Sequence, residues 1–270
     1  MKKKGIFYLL EVFIAILYLI PFYVLISMSL KTSTDLSSKW VFPGYFYFDN
    51  YRNAWKEAQL GSALINNIII TVCSVIFLIV IGACASYPLA RFKSKLNKFI
   101  YTLFIACMIV PALTILVPLY RFVIDIGGIN THWALILLLV TFSLPLTIFL
   151  YTGFIGSVPK SLDEAALMDG CSRVGIFFRI ILPQLKPVTS TVVILTGVGI
   201  WNDYQFSVFF LQSKDMQTIT VSLSSFISQF QSNISYVAAG CLIGMLPIAA
   251  LYLFMQKYFI KGLTDGSVKG

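Results

Sequence analysis

Long apolar segments that carry almost no charge recur along this sequence, and they constrain its fold more than any other feature. Each reaches the roughly 20 residues that an α-helix needs to cross a hydrocarbon layer about 30 Å thick. With 58% hydrophobic and only 11% charged residues, the chain has more apolar surface than one water-soluble core can bury. We therefore expect an all-α integral membrane protein. Six transmembrane helices are predicted, at about residues 6–30, 64–90, 99–120, 133–157, 188–212 and 234–260.

The basic residues predict the orientation of the chain. Six crossings place both termini on one side of the membrane. With the N-terminus inside, fourteen of the 20 Lys and Arg residues fall on the cytoplasmic side, as the positive-inside rule requires. The distribution of the basic residues therefore indicates an N-in, C-in topology. Because this topology accounts for the net charge of +9, no nucleic-acid partner is expected.

A cleaved signal peptide is the alternative interpretation of the first segment, because three lysines precede it. The apolar run continues through Pro21 to about Leu30, beyond the 7–15 residues of a signal core. We therefore expect it to remain as a first crossing.

Prolines lie inside several predicted crossings. Each removes a backbone hydrogen bond and is expected to kink its helix, which a bundle of neighbouring helices tolerates. They are Pro21, Pro111, Pro118, Pro145 and Pro247.

Residues that build catalytic or metal sites are sparse. Five cysteines are spread singly, and His132 is the only histidine. A nucleophile, a base and an orienting group cannot be assembled from them, and no Gly-rich phosphate loop with its lysine occurs. We predict a non-catalytic chain that itself binds no cofactor and no metal.

The segment 158–187, between the fourth and fifth crossings, predicts a cytoplasmic helical hairpin. Ser161 followed three residues later by Glu164 predicts a capping box at the start of a first helix. Gly170 supplies a left-handed stop.

A second short helix is expected from about Ser172 to near Leu182. Its end is predicted from Pro183, because proline disfavours helix in the residue before it. An ordinary surface hairpin is the alternative interpretation of this segment.

The spacing of residues in this hairpin resembles the EAA loop of bacterial and archaeal ABC-importer permeases. In that family the loop is a coupling helix that sits in a cleft of the ATPase subunit and transmits its closure to the transmembrane helices. Small side chains suit such a joint because they allow close approach of another backbone. The resemblance implies that the residues coupling this chain to an ATPase are Glu164, Ala165, Ala166, Asp169, Gly170, Ile180, Leu182 and Pro183.

Five further stretches resemble the carbohydrate-importer permeases of the maltose-transporter type, and most closely the shorter, six-helix partner. They are the runs Phe48-Asp49-Asn50-Tyr51, Tyr87-Pro88-Leu89-Ala90-Arg91-Phe92, Pro118-Leu119-Tyr120 and Trp201-Asn202-Asp203-Tyr204, and the ending Gly262-Leu263 to Val268-Lys269-Gly270.

This resemblance implies an ABC type I importer permease fold, with residues 1–270 as a single permease domain in the cell membrane of a bacterium or archaeon. The implied partners are a second homologous permease, two copies of a cytoplasmic ABC ATPase, an extracellular or periplasmic sugar-binding protein and membrane lipid. ATP and Mg²⁺ would be bound by the ATPase subunits. Residues 213–233 are expected to form an outer loop that faces the binding protein.

Polar and aromatic residues near the outer end of the fifth crossing are candidates for a sugar path. Aromatic faces stack on sugar rings, and amides or carboxylates bond hydroxyl groups. A structural hydrogen bond between helices is the alternative role for Asp203, the only acidic residue predicted to lie deep in the membrane. The candidates are Trp201, Asn202, Asp203, Tyr204 and Gln205.

An ion-coupled secondary transporter or a channel subunit is the alternative function. It would need several intramembrane carboxylates or a polar pore. ATP-dependent uptake with a co-purifying subunit distinguishes the two functions.

Overall fold

The computed structural model describes residues 2–227 and 233–267, with side chains over 7–227 and 233–256. Across these residues the chain is helical and contains no β-strand, which confirms the all-α prediction. A 3₁₀ turn (Ala112–Ile115) precedes α5, and a π-helical turn (Phe177–Ile181) follows α8. The helices are α1 (Lys2–Ser29), α2 (Asp49–Glu57), α3 (Leu60–Arg91), α4 (Lys95–Cys107), α5 (Leu116–Asp125), α6 (His132–Ser157), α7 (Ser161–Met168), α8 (Arg173–Ile176), α9 (Leu182–Gln184), α10 (Lys186–Trp201), α11 (Ser207–Phe210), α12 (Ile219–Ser224) and α13 (Ile234–Ser267).

Within the described residues, four helices are long and apolar enough to cross a membrane: Phe7–Ser29, Leu60–Arg91, His132–Ser157 and Ile234–Gln256. The predicted crossings at 99–120 and 188–212 are not continuous helices. The first is a bent pair, with 92° between Lys95–Cys107 and Ala112–Asp125. In the second, α10 ends at Trp201, and a bend of 70° separates α10 from Arg173–Gln184, which precedes the predicted crossing. The count is six if each pair crosses as one span, so the six-helix topology stays a prediction.

A proline explains the bend between Lys95–Cys107 and Ala112–Asp125. Pro111 has extended backbone angles of φ −64° and ψ 126° and stands just before the 3₁₀ turn. It therefore lies between two helices, and the expectation that it kinks a helix from inside is wrong. Pro21, Pro145 and Pro247 do lie inside α1, α6 and α13, and α3 contains Pro88.

The chain divides into two compact units, residues 1–64 with 218–247 and residues 65–217 with 248–270. In the first unit, the buried Asn50 amide donates to the carbonyl oxygens of Ser29 and Lys31, at 2.8 and 2.7 Å. This pair of bonds fixes the start of α2 against the end of α1. None of the most apolar stretch of α1 is buried within the chain, as expected for a helix that contacts lipid or a partner protein.

In the second unit, α3, α6 and α10 surround two apolar clusters. A Cβ atom added at Gly82 of α3 would collide with Thr147 of α6, so glycine permits the close approach of these helices. One cluster runs from Tyr151 in α6 through Ala166 in α7 to Ile181 in the π-helical turn. The hairpin that follows α6 therefore shares a core with the long helices.

Candidate functional site

The first arm of the hairpin is α7, and it begins at Ser161 as predicted. The predicted capping box is wrong, because the residue at the cap position is Lys160 and no side chain makes a capping hydrogen bond there. Glu164 uses only its backbone N–H here, which donates to the Lys160 carbonyl at 3.1 Å. Its carboxylate lies on an exposed face.

The turn between the two arms needs a glycine. Gly170 has φ +79°, a conformation that residues with a Cβ adopt at a cost of about 1–2 kcal/mol. Around it, the Gly170 N–H donates to the Leu167 carbonyl and the Cys171 N–H to the Ala166 carbonyl, at 3.0 and 2.9 Å. The left-handed stop predicted from the sequence is confirmed.

The second arm starts at Ser172, whose Oγ accepts a hydrogen bond from the Gly175 N–H at 3.1 Å. The arm ends at Gln184, two residues past the predicted end near Leu182. The expectation that Pro183 keeps the residue before it out of a helix is wrong, because Leu182 has helical backbone angles. The π-helical turn makes the difference, because a new helical turn begins at Leu182 and Pro183 stands in its first positions. A proline is tolerated there because its missing N–H would have no partner in the helix.

A buried ion pair clamps the first arm to the C-terminal end of α3. Asp163 lies beside Arg91, with Nη2 donating to Oδ1 at 3.1 Å and Nε 3.0 Å from Oδ2. Arg91 also donates to the Val158 carbonyl at 2.9 Å, and the Tyr87 hydroxyl donates to Asp163 at 3.2 Å. The side chain of Arg91 is only 4% exposed and that of Asp163 14%. Most of the charge of this pair is therefore withdrawn from solvent.

Sequence reasoning missed this clamp, because its two charges are 72 residues apart. A signal was present. Arg91 is the one charged residue in one of the stretches that carry the family resemblance, and Asp163 immediately precedes the EAA run. The basic residue of one motif could have been paired with an acidic residue of the other.

Aromatic contacts hold the second arm. The rings of Tyr87 and Phe177 are 5.4 Å apart, and the Arg173 guanidinium lies 4.8 Å from the centre of the Phe92 ring. Ala166 is buried, and Ile180 and Leu182 are partly buried. Both arms thus rest on the end of α3.

The opposite side of the hairpin is exposed in the described part of the chain. Met168 is 88% exposed and Leu167 49%, and Glu164, Ala165 and Asp169 are exposed as well. We call these five residues the coupling face. Of the predicted coupling residues, the structure therefore exposes Glu164, Ala165, Asp169, Gly170 and Pro183 and turns Ala166, Ile180 and Leu182 inward.

The candidate sugar-path residues lie at a helix end and not inside a crossing. α10 stops at Trp201, so the expectation that Asp203 lies within a long helix is wrong. The Asp203 carboxylate accepts hydrogen bonds from the N–H and the hydroxyl of Ser207, at 2.9 and 2.7 Å. It therefore shapes the chain that leads into α11. Asn202 and Tyr204 are exposed, and Gln205 is partly buried.

Side-chain amides fix the segment that follows, residues 201–217, which we call the outer segment. Asn67 donates to the Trp201 carbonyl at 2.9 Å. Asn66 donates to the carbonyls of Asp215 and Gln217, at 2.8 and 3.1 Å, and its Oδ1 lies 3.0 Å from His132 Nε2.

Asn130 Oδ1 accepts from the N–H groups of Gln212 and Ser213. Sequence reasoning missed these asparagines, because single amides in helices carry no distinctive pattern. Of the predicted outer loop 213–233, residues 228–232 lie outside the described residues.

Comparison with known proteins gives the family. Residues 79–265 match the family described as the binding-protein-dependent transport system inner membrane component. The melibiose/raffinose/stachyose import permease protein MelC of Bacillus subtilis is 49% identical over 270 residues, covering 100% of this chain and 98% of that protein. The multiple sugar-binding transport system permease protein MsmG of Streptococcus mutans is 33% identical, covering 94% of this chain and 93% of that protein.

Among solved structures, the fold is similar to a chain of a bacterial ABC transporter involved in the import of alginate, with a TM-score of 0.79 at 20% identity over 96% of this chain and 98% of that one. A chain of the MetNI methionine ABC transporter matches with a TM-score of 0.61, at 16% identity over 75% of this chain and 95% of that one. The apolar helices, the fold and the matched family agree in making this a multi-pass membrane protein. The chain belongs to the family of binding-protein-dependent transport system inner membrane components.

Proposed function

We propose that this chain is the membrane-spanning permease subunit of an ATP-driven importer of oligosaccharides. It forms the translocation path with a second homologous permease. Two copies of an ABC ATPase hydrolyse ATP on the cytoplasmic side, and a sugar-binding protein delivers the cargo from outside. The chain is non-catalytic, and ATP and Mg²⁺ bind to the ATPase subunits. Membership of the binding-protein-dependent family supports this arrangement.

The proposed topology has six spans with both termini inside: the four long helices, the bent pair Lys95–Cys107 with Ala112–Asp125, and α10 with the residues that follow it to about 212. The excess of basic residues on the proposed inner side supports it. In this orientation the hairpin and the inner end of α3 lie in the cytoplasm, and the outer segment lies at the opposite surface.

The coupling face and the clamp behind it are the observation that carries the proposed mechanism. The exposed side of α7 enters a cleft of the ATPase, where the Glu164 carboxylate meets a basic partner. Closure of the ATPase pair moves the hairpin. The ion pair between Asp163 and Arg91 passes the movement to α3, and the shared apolar core passes it to α6. The helices then change from an inward-open to an outward-open arrangement.

The proposed cargo follows from the relatives. Names of permeases 49% and 33% identical to this chain refer to melibiose, raffinose and stachyose and to multiple sugars. We propose oligosaccharides as the transported substrates of this chain, with raffinose-type sugars as the first candidates. Of the candidate path residues, Asn202 and Tyr204 are exposed and offer an amide and an aromatic face to sugar. Trp201 is buried, and Asp203 positions the segment.

An ion-coupled transporter or channel is not supported, because the matched family and the named relatives belong to binding-protein-dependent import. The fold also matches chains of ABC importers.

The test of the coupling role is Glu164→Lys, compared with Asp125→Lys, which makes the same charge change at an exposed position at the end of α5. Glu164→Lys is expected to insert normally but to retain at least about tenfold less ATPase on purification, because a reversed charge repels the basic partner. ATP-dependent sugar uptake into proteoliposomes should fall with it. Equal ATPase retention by both variants, with unchanged uptake, would contradict the proposal.

A further inference from the structure

A groove of about 600 Å³ lies where α3 ends, α4 begins and α6 approaches its C-terminus. It includes no residue of the coupling face and none of the outer segment. One part of its lining is a group of lysines, and another part is apolar or glycine surface. Its lining includes Lys93, Lys95, Lys98, Tyr101, Thr152, Gly153 and Gly156.

The lysines make the groove an anion site by charge. Lys93, Lys95 and Lys98 are all exposed, and none of them is in an ion pair among the residues that the structure describes. The described lining contains no acidic residue. The N-terminal end of α4, capped by Ser94, adds the positive end of a helix dipole to the same place.

The glycines leave an open apolar strip beside this charge. Gly153 and Gly156 are three residues apart on α6, so they share one face. A Cβ atom built at either position would meet no atom within 4 Å. The surface at these two glycines is therefore open to a slender apolar chain.

We propose that this groove binds one anionic membrane lipid. Its phosphate headgroup contacts the three lysines and its acyl chain lies along the strip at Gly153 and Gly156. A soluble phosphate would leave the apolar strip uncovered. A zwitterionic headgroup would bring its own cation against the lysines. An anionic phospholipid matches both halves of the groove, as basic pockets between membrane helices do elsewhere.

The experiment compares lipid retention by the purified full importer complex in nanodiscs of phosphatidylcholine doped with phosphatidylglycerol. After mild delipidation, native mass spectrometry counts the phosphatidylglycerol molecules that stay bound. The triple variant K93Q/K95Q/K98Q is expected to lower phosphatidylglycerol retention by about tenfold or more. Gly153→Leu with Gly156→Leu, which fills the strip and leaves the charge intact, should also lower it.

The matched control is K39Q/K56Q/K214Q, which removes the same charge from exposed positions elsewhere and should retain phosphatidylglycerol like the unchanged protein. The proposal is overturned if the groove variant retains as much phosphatidylglycerol as the unchanged protein or if the control loses as much as the groove variant. It is also overturned if phosphatidylcholine is retained equally. Loss of the partner permease with unchanged lipid content would assign the groove to a protein contact instead.

Discussion

The hairpin and the outer segment are both irregular pieces of chain set against long helices, but different chemistry holds them. Asp163 and Arg91 join the hairpin to α3 through opposite charges that are almost fully withdrawn from solvent. In the outer segment, neutral amides of Asn66, Asn67 and Asn130 hold backbone carbonyls and N–H groups.

This difference corresponds to two mechanical tasks. A buried ion pair is costly to break because either partner alone is a desolvated charge, so the hairpin and α3 are expected to move together. Hydrogen bonds between side-chain amides and the backbone contribute about 1 kcal/mol each. They hold the shape of the outer segment and are expected to open more readily than the ion pair.

The largest expected effect comes from Asp163→Ala. It leaves the Arg91 guanidinium buried without its counter-charge, which costs about 3–5 kcal/mol. We expect the hairpin to detach locally from α3, with rapid proteolysis within residues 158–187 and more than about tenfold loss of ATP-driven uptake. Limited proteolysis and uptake into proteoliposomes measure both.

Two controls sharpen this prediction. Asp125→Ala removes an exposed carboxylate and should change neither measurement. Replacing both members of the pair, Asp163→Met with Arg91→Met, removes the unpaired charge and should restore part of the protease resistance. If Asp163→Ala stays as resistant as the unchanged protein, the clamp does not hold the hairpin.

A smaller effect is expected from Asn66→Leu. It removes the two hydrogen bonds to the Asp215 and Gln217 carbonyls, at about 2 kcal/mol in total. Amide hydrogen exchange over residues 212–217 should become roughly tenfold faster or more, with exchange in the hairpin unchanged. Asn53→Leu, which loses one bond to Tyr236, is the control and should leave residues 212–217 as they are. Faster exchange in the hairpin as well would show that the two regions are not held independently.

The smallest effect belongs to the hairpin turn. Gly170→Ala forces a side chain into positive φ at a cost of about 1–2 kcal/mol, with no collision, since no atom lies within 4 Å of the added Cβ. A slightly lower Tm of the complex and a modest decrease in uptake are expected. Gly199→Ala, in α10 with equally open space, should instead stabilise by up to about 1 kcal/mol. If both variants changed the Tm equally, the positive φ of Gly170 would not be what makes glycine necessary at the turn.

Local chemistry accounts for what could be predicted. The helical class follows from apolar runs that must satisfy their own backbone in lipid, and Gly170 was identifiable because few other residues adopt its conformation. The start of α7 at Ser161 was also correct. The predicted crossings at 99–120 and 188–212 are not continuous helices, because Pro111 separates two helices and α10 stops at Trp201. Pro183 does not stop the second arm, because a new helical turn begins at Leu182.

The sequence by itself determined that this chain is a helical membrane protein and which hairpin carries the EAA spacing, because both depend on neighbours within a few residues. Only the tertiary structure decided which side of that hairpin is free and that Arg91 meets Asp163. Those outcomes depend on residues far apart in the chain, whose approach is set by the packing of α3, α6 and α10 and is not encoded in any local pattern.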